Sequence, residues 1–321
     1  MQASNTKNKK GVIKVVAFTT IVVLIMSIFS YVLNPERFLD STAAYEREQY
    51  LSAILQEEEN TIDVLILGDS ESFGVLSPMH LWRDNGITSF MAGQGGLRTV
   101  EEYYSLKKIL KKQKPKLVII ETNNVFDNMG MLPELKYDLA TTIYYYVPLI
   151  KYHGLWKNYF EEDKLDKMHY CGFEIRPNIM PYTGEDYKVY SDEVEPIDKL
   201  IKHYFDKTID LCKKNNIEIL LVNAPSPQHF TYPKHNAMVK YAKELNVPFI
   251  DMNLLDELNI SMSDDMLDGG DHVNVYGTLK MTKYLQKYLK DNYELPDRRG
   301  DEKYKVWDER AKKFFEELSK Y

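Results

Sequence analysis

The sequence predicts an α/β domain built on a parallel β-sheet, set behind one membrane-spanning helix. Three observations carry that reading. Four short, mostly apolar runs recur along the chain with helical patterns between them. Strands alternating with helices imply a parallel sheet with right-handed crossovers. Ahead of them, residues 15–33 run nineteen positions without a charge.

Composition narrows the function classes. The 321 residues are 28% charged and 44% hydrophobic, which excludes a disordered, collagen-like or disulfide-framework chain. With 48 acidic against 41 basic side chains, the balance argues against binding nucleic acid through phosphate neutralisation. The only cysteines, Cys171 and Cys212, form no C-x-x-C pair, so a cysteine-based structural zinc site is out. Cys212 falls in a helical pattern and reads as a small buried hydrophobe. No cofactor fingerprint or metal site is found.

The 15–33 run would span roughly 28 Å, the hydrocarbon thickness of a bilayer. Lys7, Lys9, Lys10 and Lys14 precede it without an acid, and Asn34-Pro35-Glu36-Arg37 follows. The positive-inside rule then leaves 1–14 as a cytoplasmic tail and puts the rest outside the cell. The rivals are a cleaved signal peptide, whose apolar region would be shorter, and a buried core helix. Beyond the span, 37 basic and 48 acidic residues give a net −11. An acidic exterior suggests tethering by the helix without broad electrostatic adhesion to anionic lipid.

A helix over 42–58 closes the 34–61 linker. The first strand is Ile62–Leu67, ending in Gly-Asp-Ser. A helix over Val100–Lys112 leads to a second strand, Lys116–Ile120, and one over Ile197–Lys214 to a third, Ile217–Val222. A helix over His235–Leu245 leads to a fourth, Val247–Ile250, and a last domain helix covers Tyr276–Leu289. The domain so defined is 62–290, interrupted by a Tyr-, Met- and Pro-rich insertion over 128–195 suited to a lid or substrate platform. The tail, 291–321, ends in an amphipathic helix with Trp307, Ala311, Phe314, Phe315 and Leu318 on the face that packs.

Candidate residues sit just past the strands, where such sheets bind ligands. After the first comes Gly68-Asp69-Ser70-Glu71-Ser72. A serine on that turn projects its hydroxyl into the crevice beside a helix N-terminus; the same segment also suits a plain N-capping serine. Met91-Ala92-Gly93-Gln94-Gly95-Gly96 precedes a helix, and no strand leads cleanly into it. It is not a G-x-G-x-x-G dinucleotide fingerprint; a glycine turn offering one N–H fits better. Glu121-Thr122-Asn123-Asn124 follows the second strand, and Asn123 is either an oxyanion donor or a turn residue. Near the end, Asp268-Gly269-Gly270-Asp271-His272 gives a histidine with carboxylates to fix its tautomer. His153, His169, His203, His229 and His235 lack comparable company, and His80 is a weaker alternative.

Taken in order, these blocks resemble the SGNH (GDSL-type) hydrolase superfamily. Gly68-Asp69-Ser70 lies on the nucleophile block, Gly96 on the glycine of the second, Asn123 on the asparagine of the third and His272 on the base of the last. The resemblance covers roughly 62–127 and 216–290. Two departures stand out: Glu121 replaces the usual glycine, and Gly269 occupies the slot of the usual Asp-x-x-His acid. Asp268 is then favoured as orienter over Asp271, with a Ser–His dyad using a backbone carbonyl as the alternative.

The resemblance implies a three-layer, flavodoxin-like fold and serine acyl-ester chemistry. Ser70 would attack with His272 as base, and the N–H groups of Ser70 and Gly96 and the Asn123 amide would form the oxyanion hole. Asp69 and Glu121 would support them. With the anchor, the chain is similar to extracytoplasmic O-acyltransferases of the teichoic-acid D-alanylation and alginate-acetylation types. Those act on cell-surface polysaccharide with a multi-spanning membrane-bound O-acyltransferase partner. The implied substrates are an acyl donor and a glycan. An acetylesterase and a catalytically silent glycan-binding assembly factor are the alternatives.

Overall fold

The computed structural model describes residues 2–32, 49–152 and 170–321. Helix α1 (Gln2–Val32) contains a 24-residue stretch, Lys9–Val32, that is long and apolar enough to cross a membrane, with none of it buried. Residues 33–48 lie outside the described residues, and with them the flank after the span and the first part of the helix expected over 42–58. The described remainder of that helix is α2 (Gln49–Gln56), which buries Tyr50, Leu51 and Ile54.

The domain then alternates strand and helix. β1 (Val64–Leu67), α3 (Pro78–Asn85), β2 (Ser89–Met91), α4 (Thr99–Ile109) and β3 (Leu117–Glu121) form its first half. α5 (Met131–Tyr146), α6 (Pro148–Tyr152), α7 (Lys199–Lys214), β4 (Glu218–Asn223), α8 (Tyr232–Leu245), β5 (Phe249–Asp251), α9 (Val275–Asn292) and α10 (Lys305–Leu318) follow. All strand pairs are parallel, in the order β2-β1-β3-β4-β5, the doubly wound, flavodoxin-like arrangement.

Strand alternation builds the layers. Leu65 and Leu67 of β1 enter one core with residues of α4, α7, α8 and α10, including Leu106, Phe205, Met238 and Phe314. Val64 and Ile66 enter the other with Leu81 of α3 and Met281, Leu285 and Leu289 of α9. Strands buried on both faces explain why their sequences read as continuous apolar runs. Trp307, Ala311 and Phe314 are buried, with Phe315 and Leu318 packed beside them, as the spacing in the tail predicts.

Two sequence expectations need correcting. A strand does lead into the Met91–Gly96 segment: β2 pairs with β1 from Ser89 to Met91. Three residues with no β-branched side chain give too little periodicity to read as a strand. The 128–195 insertion, moreover, is partly core. Cys171 and Phe173 are buried in the main cluster, and the Cys171 carbonyl accepts the Met91 N–H at 2.9 Å. This segment therefore covers the free edge of β2, which an open sheet has to protect.

Gly172 makes that approach possible. Its φ is +79°, and an added Cβ would lie 1.9 Å from the Met91 carbonyl oxygen. Gly172→Ala is expected to cost about 1–3 kcal/mol of stability through the left-handed backbone and the clash. Thermal unfolding of the variant beside the parent chain measures it.

Candidate functional site

The carboxyl ends of β1 and β3 carry the first residues of the site. β1 is followed by Gly68, whose φ is +137° and whose missing Cβ would lie 2.7 Å from the Glu121 Cβ. Asp69 caps the 3-10 turn Ser70–Gly74 by accepting the Glu71 N–H. Ser70 is half-buried at the head of that turn, and its Oγ donates to Glu71 Oε2 at 3.1 Å. After β3, Asn123 is buried, and its N–H donates to Glu121 Oε2 at 2.9 Å. Its Nδ2 donates to Asp69 Oδ2 at 3.1 Å and to Glu71 Oε1 at 3.0 Å.

His272 arrives from the loop before α9. Asn274 starts that helix by accepting the N–H groups of Tyr276 and Gly277, while its own Nδ2 donates to the Asp264 carbonyl. The second half of the insertion braces the loop: Met180 N–H donates to Met266 O, Gly269 N–H to Met180 O, and Val275 N–H to Arg176 O. On this support, His272 Nδ1 lies 2.6 Å from Asp268 Oδ2 and the His272 N–H donates to Asp268 Oδ1 at 2.8 Å. Asp271 is farther, 3.5 Å from the same nitrogen. His272 Nε2 is buried without a hydrogen-bond partner among the described residues.

The loops thus bring Ser70, Asp69, Asn123 and Glu121 into one hydrogen-bonded group with Glu71. Glu71, Asp271 and His272 each place a ligand atom within 4.8 Å of the others, so the His272 loop meets that group at Glu71. Ser70 Oγ and Asn123 Nδ2 both engage Glu71 here, which closes the hydroxyl and the amide onto a carboxyl group. Gly96 sits exposed in the turn from β2 to α4.

Sequence reasoning passed over two of these residues. Glu71 is buried, and burial, reinforced by Asp69 and then Glu121, pushes its carboxyl up to about 11. Burial and Asp69 also raise Glu121, against the pull of N–H donors from Asn123 and Ala224. His229 is not without company: its Nε2 lies 2.8 Å from Asp271 Oδ1 and 3.5 Å from Glu71 Oε1. It follows β4 by only a few residues, so inspecting the chain past every strand end would have found it. His235 is likewise paired, with Asp251 at 2.8 Å. His80 belongs elsewhere, on Ser77 Oγ at 2.9 Å and against Phe314 and Phe315, with burial lowering it to about 4. His153 and His169 lie outside the described residues.

Among the described residues, Glu71, Asp271 and His272 are the side chains close enough together to hold a metal ion. A ligand carboxyl must be deprotonated, and burial raises the Glu71 carboxyl, so holding a cation there would require Glu71 to give up its proton. Beside Asn123 a small pocket is lined by His229, Phe230, Lys234, His235 and Asp251. A cavity of about 480 Å³ lies away from His272, between α4, α5 and α6.

No family model matches this chain, and no curated protein matches it. Among solved structures it is similar to one described as an acylhydrolase from Bacteroides fragilis. They are 15% identical over 78% of this chain and 98% of that one, with a TM-score of 0.40. A GDSL-like lipase from Bacteroides thetaiotaomicron is 12% identical over 77% and 98%, also at 0.40. The psychrotrophic esterase EstA from Pseudoalteromonas sp. is 14% identical over 71% and 96%, at 0.37. At such identities and scores the likeness carries no chemistry across; that has to come from the side chains.

Proposed function

We propose that this chain is a membrane-anchored, extracytoplasmic serine acyl-ester enzyme of the SGNH type, acting as an O-acyltransferase on cell-surface polysaccharide. The supporting observation is the His272 imidazole: Nδ1 held by Asp268 at 2.6 Å, Nε2 buried and unpartnered. That is the arrangement a general base needs, with one nitrogen fixed by an acid and the other ready for a proton.

In the mechanism, His272 Nε2 removes the Ser70 proton as Oγ attacks the acyl carbonyl carbon. The C=O electron pair moves onto oxygen, held by the N–H groups of Ser70 and Gly96 and by the Asn123 amide. Collapse expels the donor alcohol, which takes the proton from His272 and leaves an acyl-serine. A glycan hydroxyl then repeats the attack and regenerates Ser70. Before the first step Glu71 has to leave Asn123 Nδ2 and Ser70 Oγ, because the incoming carbonyl oxygen needs the amide. The pocket lined by His229, Lys234 and His235 adjoins Asn123 and offers polar groups to a sugar. A multi-spanning acyltransferase would supply the acyl group from across the membrane, with α1 crossing the bilayer and its N-terminus inside.

A fluorophosphonate probe tests the enzyme reading. The full chain is expected to label at Ser70, and Ser70→Ala to abolish labelling. Absence of label from the folded parent chain would favour the silent assembly factor. An activated acetyl ester supplied with and without polysaccharide separates transfer from hydrolysis: acetylated sugar supports the transferase, free acetate alone the esterase.

A further inference from the structure

The helix α5 is built inside out for a helix on a water-soluble surface. Its two acidic residues, Glu134 and Asp138, are buried against the domain, Glu134 pairing with Arg98 at 2.6 Å, while Lys136 is exposed. Burial, with Glu134 nearby, raises the Asp138 carboxyl to about 6. Its apolar residues point away: Leu132, Leu135, Leu139, Ile143 and Tyr146 are 38–63% exposed. Their spacing of three, four, four and three residues makes them one continuous stripe. An exposed apolar stripe of four turns marks an interaction surface.

What the stripe meets is indicated by its connection to α1. One residue past α5, the short helix α6 packs against α1, and the Leu149 N–H donates to Ser30 Oγ at 3.3 Å. Ser30 is two residues from the end of the apolar helix, roughly 3 Å along its axis. A bilayer crossed by α1 therefore reaches its boundary at α6, whose Ile150 is itself exposed. α5 extends from that level with Leu132, Leu135, Leu139 and Ile143 of its apolar face exposed. The flanking chemistry suits a headgroup layer. Lys107 lies 5.0 Å from the Tyr145 ring and 5.4 Å from that of Tyr146, and Lys111 lies 5.6 Å from Tyr145. Tyrosine and lysine side chains are the usual furniture of the interface.

We propose that the α5 stripe lies in the outer interface of the membrane that α1 spans, so that the domain rests on the lipid surface in a fixed orientation. This rests on reading α1 as a membrane anchor and goes beyond it. Binding through apolar area reconciles a docked domain with its net acidic surface, since this attraction needs no anionic lipid.

The test places a bimane fluorophore on single cysteines in the full chain, reconstituted in phosphatidylcholine–phosphatidylglycerol vesicles containing doxyl-labelled lipid. The native Cys171 and Cys212 are buried and stay unlabelled. Leu24→Cys reports the anchor, Val189→Cys reports open solvent, and Leu135→Cys and Leu139→Cys report the stripe. The proposal expects positions 135 and 139 to lose fluorescence to doxyl lipid as position 24 does, with position 189 unquenched. Quenching at 24 without quenching at 135 and 139 overturns the docked face while leaving the anchor intact. No quenching at 24 overturns both. Shielding of 135 and 139 in native membranes but not in vesicles overturns it in favour of a membrane-protein partner.

Discussion

Asp268→Asn is expected to lower turnover of an activated acetyl ester by about 10³–10⁴-fold, and Asp271→Asn by less than about tenfold. The two acids flank the same imidazole at different distances, 2.6 Å and 3.5 Å from Nδ1. Asp268 also accepts the His272 backbone N–H, so it fixes the ring and its tautomer together. A carboxylate on Nδ1 leaves the lone pair on Nε2; an asparagine that turned its NH₂ towards Nδ1 would move the proton to Nε2 and disable the base. Asp271 has a nearer partner in His229, so its loss disturbs a neighbouring pair first. Steady-state kinetics on both variants check this, and a larger loss at Asp271 would reverse the assignment.

Most of the sheet could be read from the chain because its strands are buried on both faces. Val64–Leu67 and Leu117–Glu121 are short apolar runs with a polar turn after each, and burial leaves little else they can be. β2 gave no such signal, since it is held by β1 on one side and by the Cys171 carbonyl on the other, a long-range partner that periodicity does not encode. The candidate residues follow the same division. Ser70, Asn123 and the Asp268–His272 pair sit at strand ends or within one loop, where local sequence carries the geometry. His229 and Glu71 matter through what faces them, Asp271 more than 40 residues later and Asn123 more than 50. The outward stripe of α5 was hidden for a related reason: apolar spacing marks a face but does not say which way the face points.

Glu71→Gln is expected to stabilise the chain at alkaline pH, by up to about 4 kcal/mol at pH 9 relative to pH 6. The sign follows from the carboxyl being raised in the folded state, from an ordinary value of 4.5 to about 11. Between those limits the native chain holds a proton that the unfolded chain has released, so unfolding gives up a proton and becomes easier as pH rises. The contribution is fully present below the unfolded value and declines towards the folded one, by at most about 1.4 kcal/mol per pH unit. Glutamine is neutral at every pH and can still accept from Asn123 Nδ2, so it removes the slope with little change of shape. Urea unfolding of both chains at pH 6, 7.5 and 9 gives the comparison. A gap that widens in favour of the variant means Glu71 lies neutral between Ser70 and Asn123, and its departure then moves no charge out of the site. Parallel curves would mean the carboxyl is already ionised in the native state, and freeing Asn123 Nδ2 for the proposed oxyanion role would then require moving a buried anion.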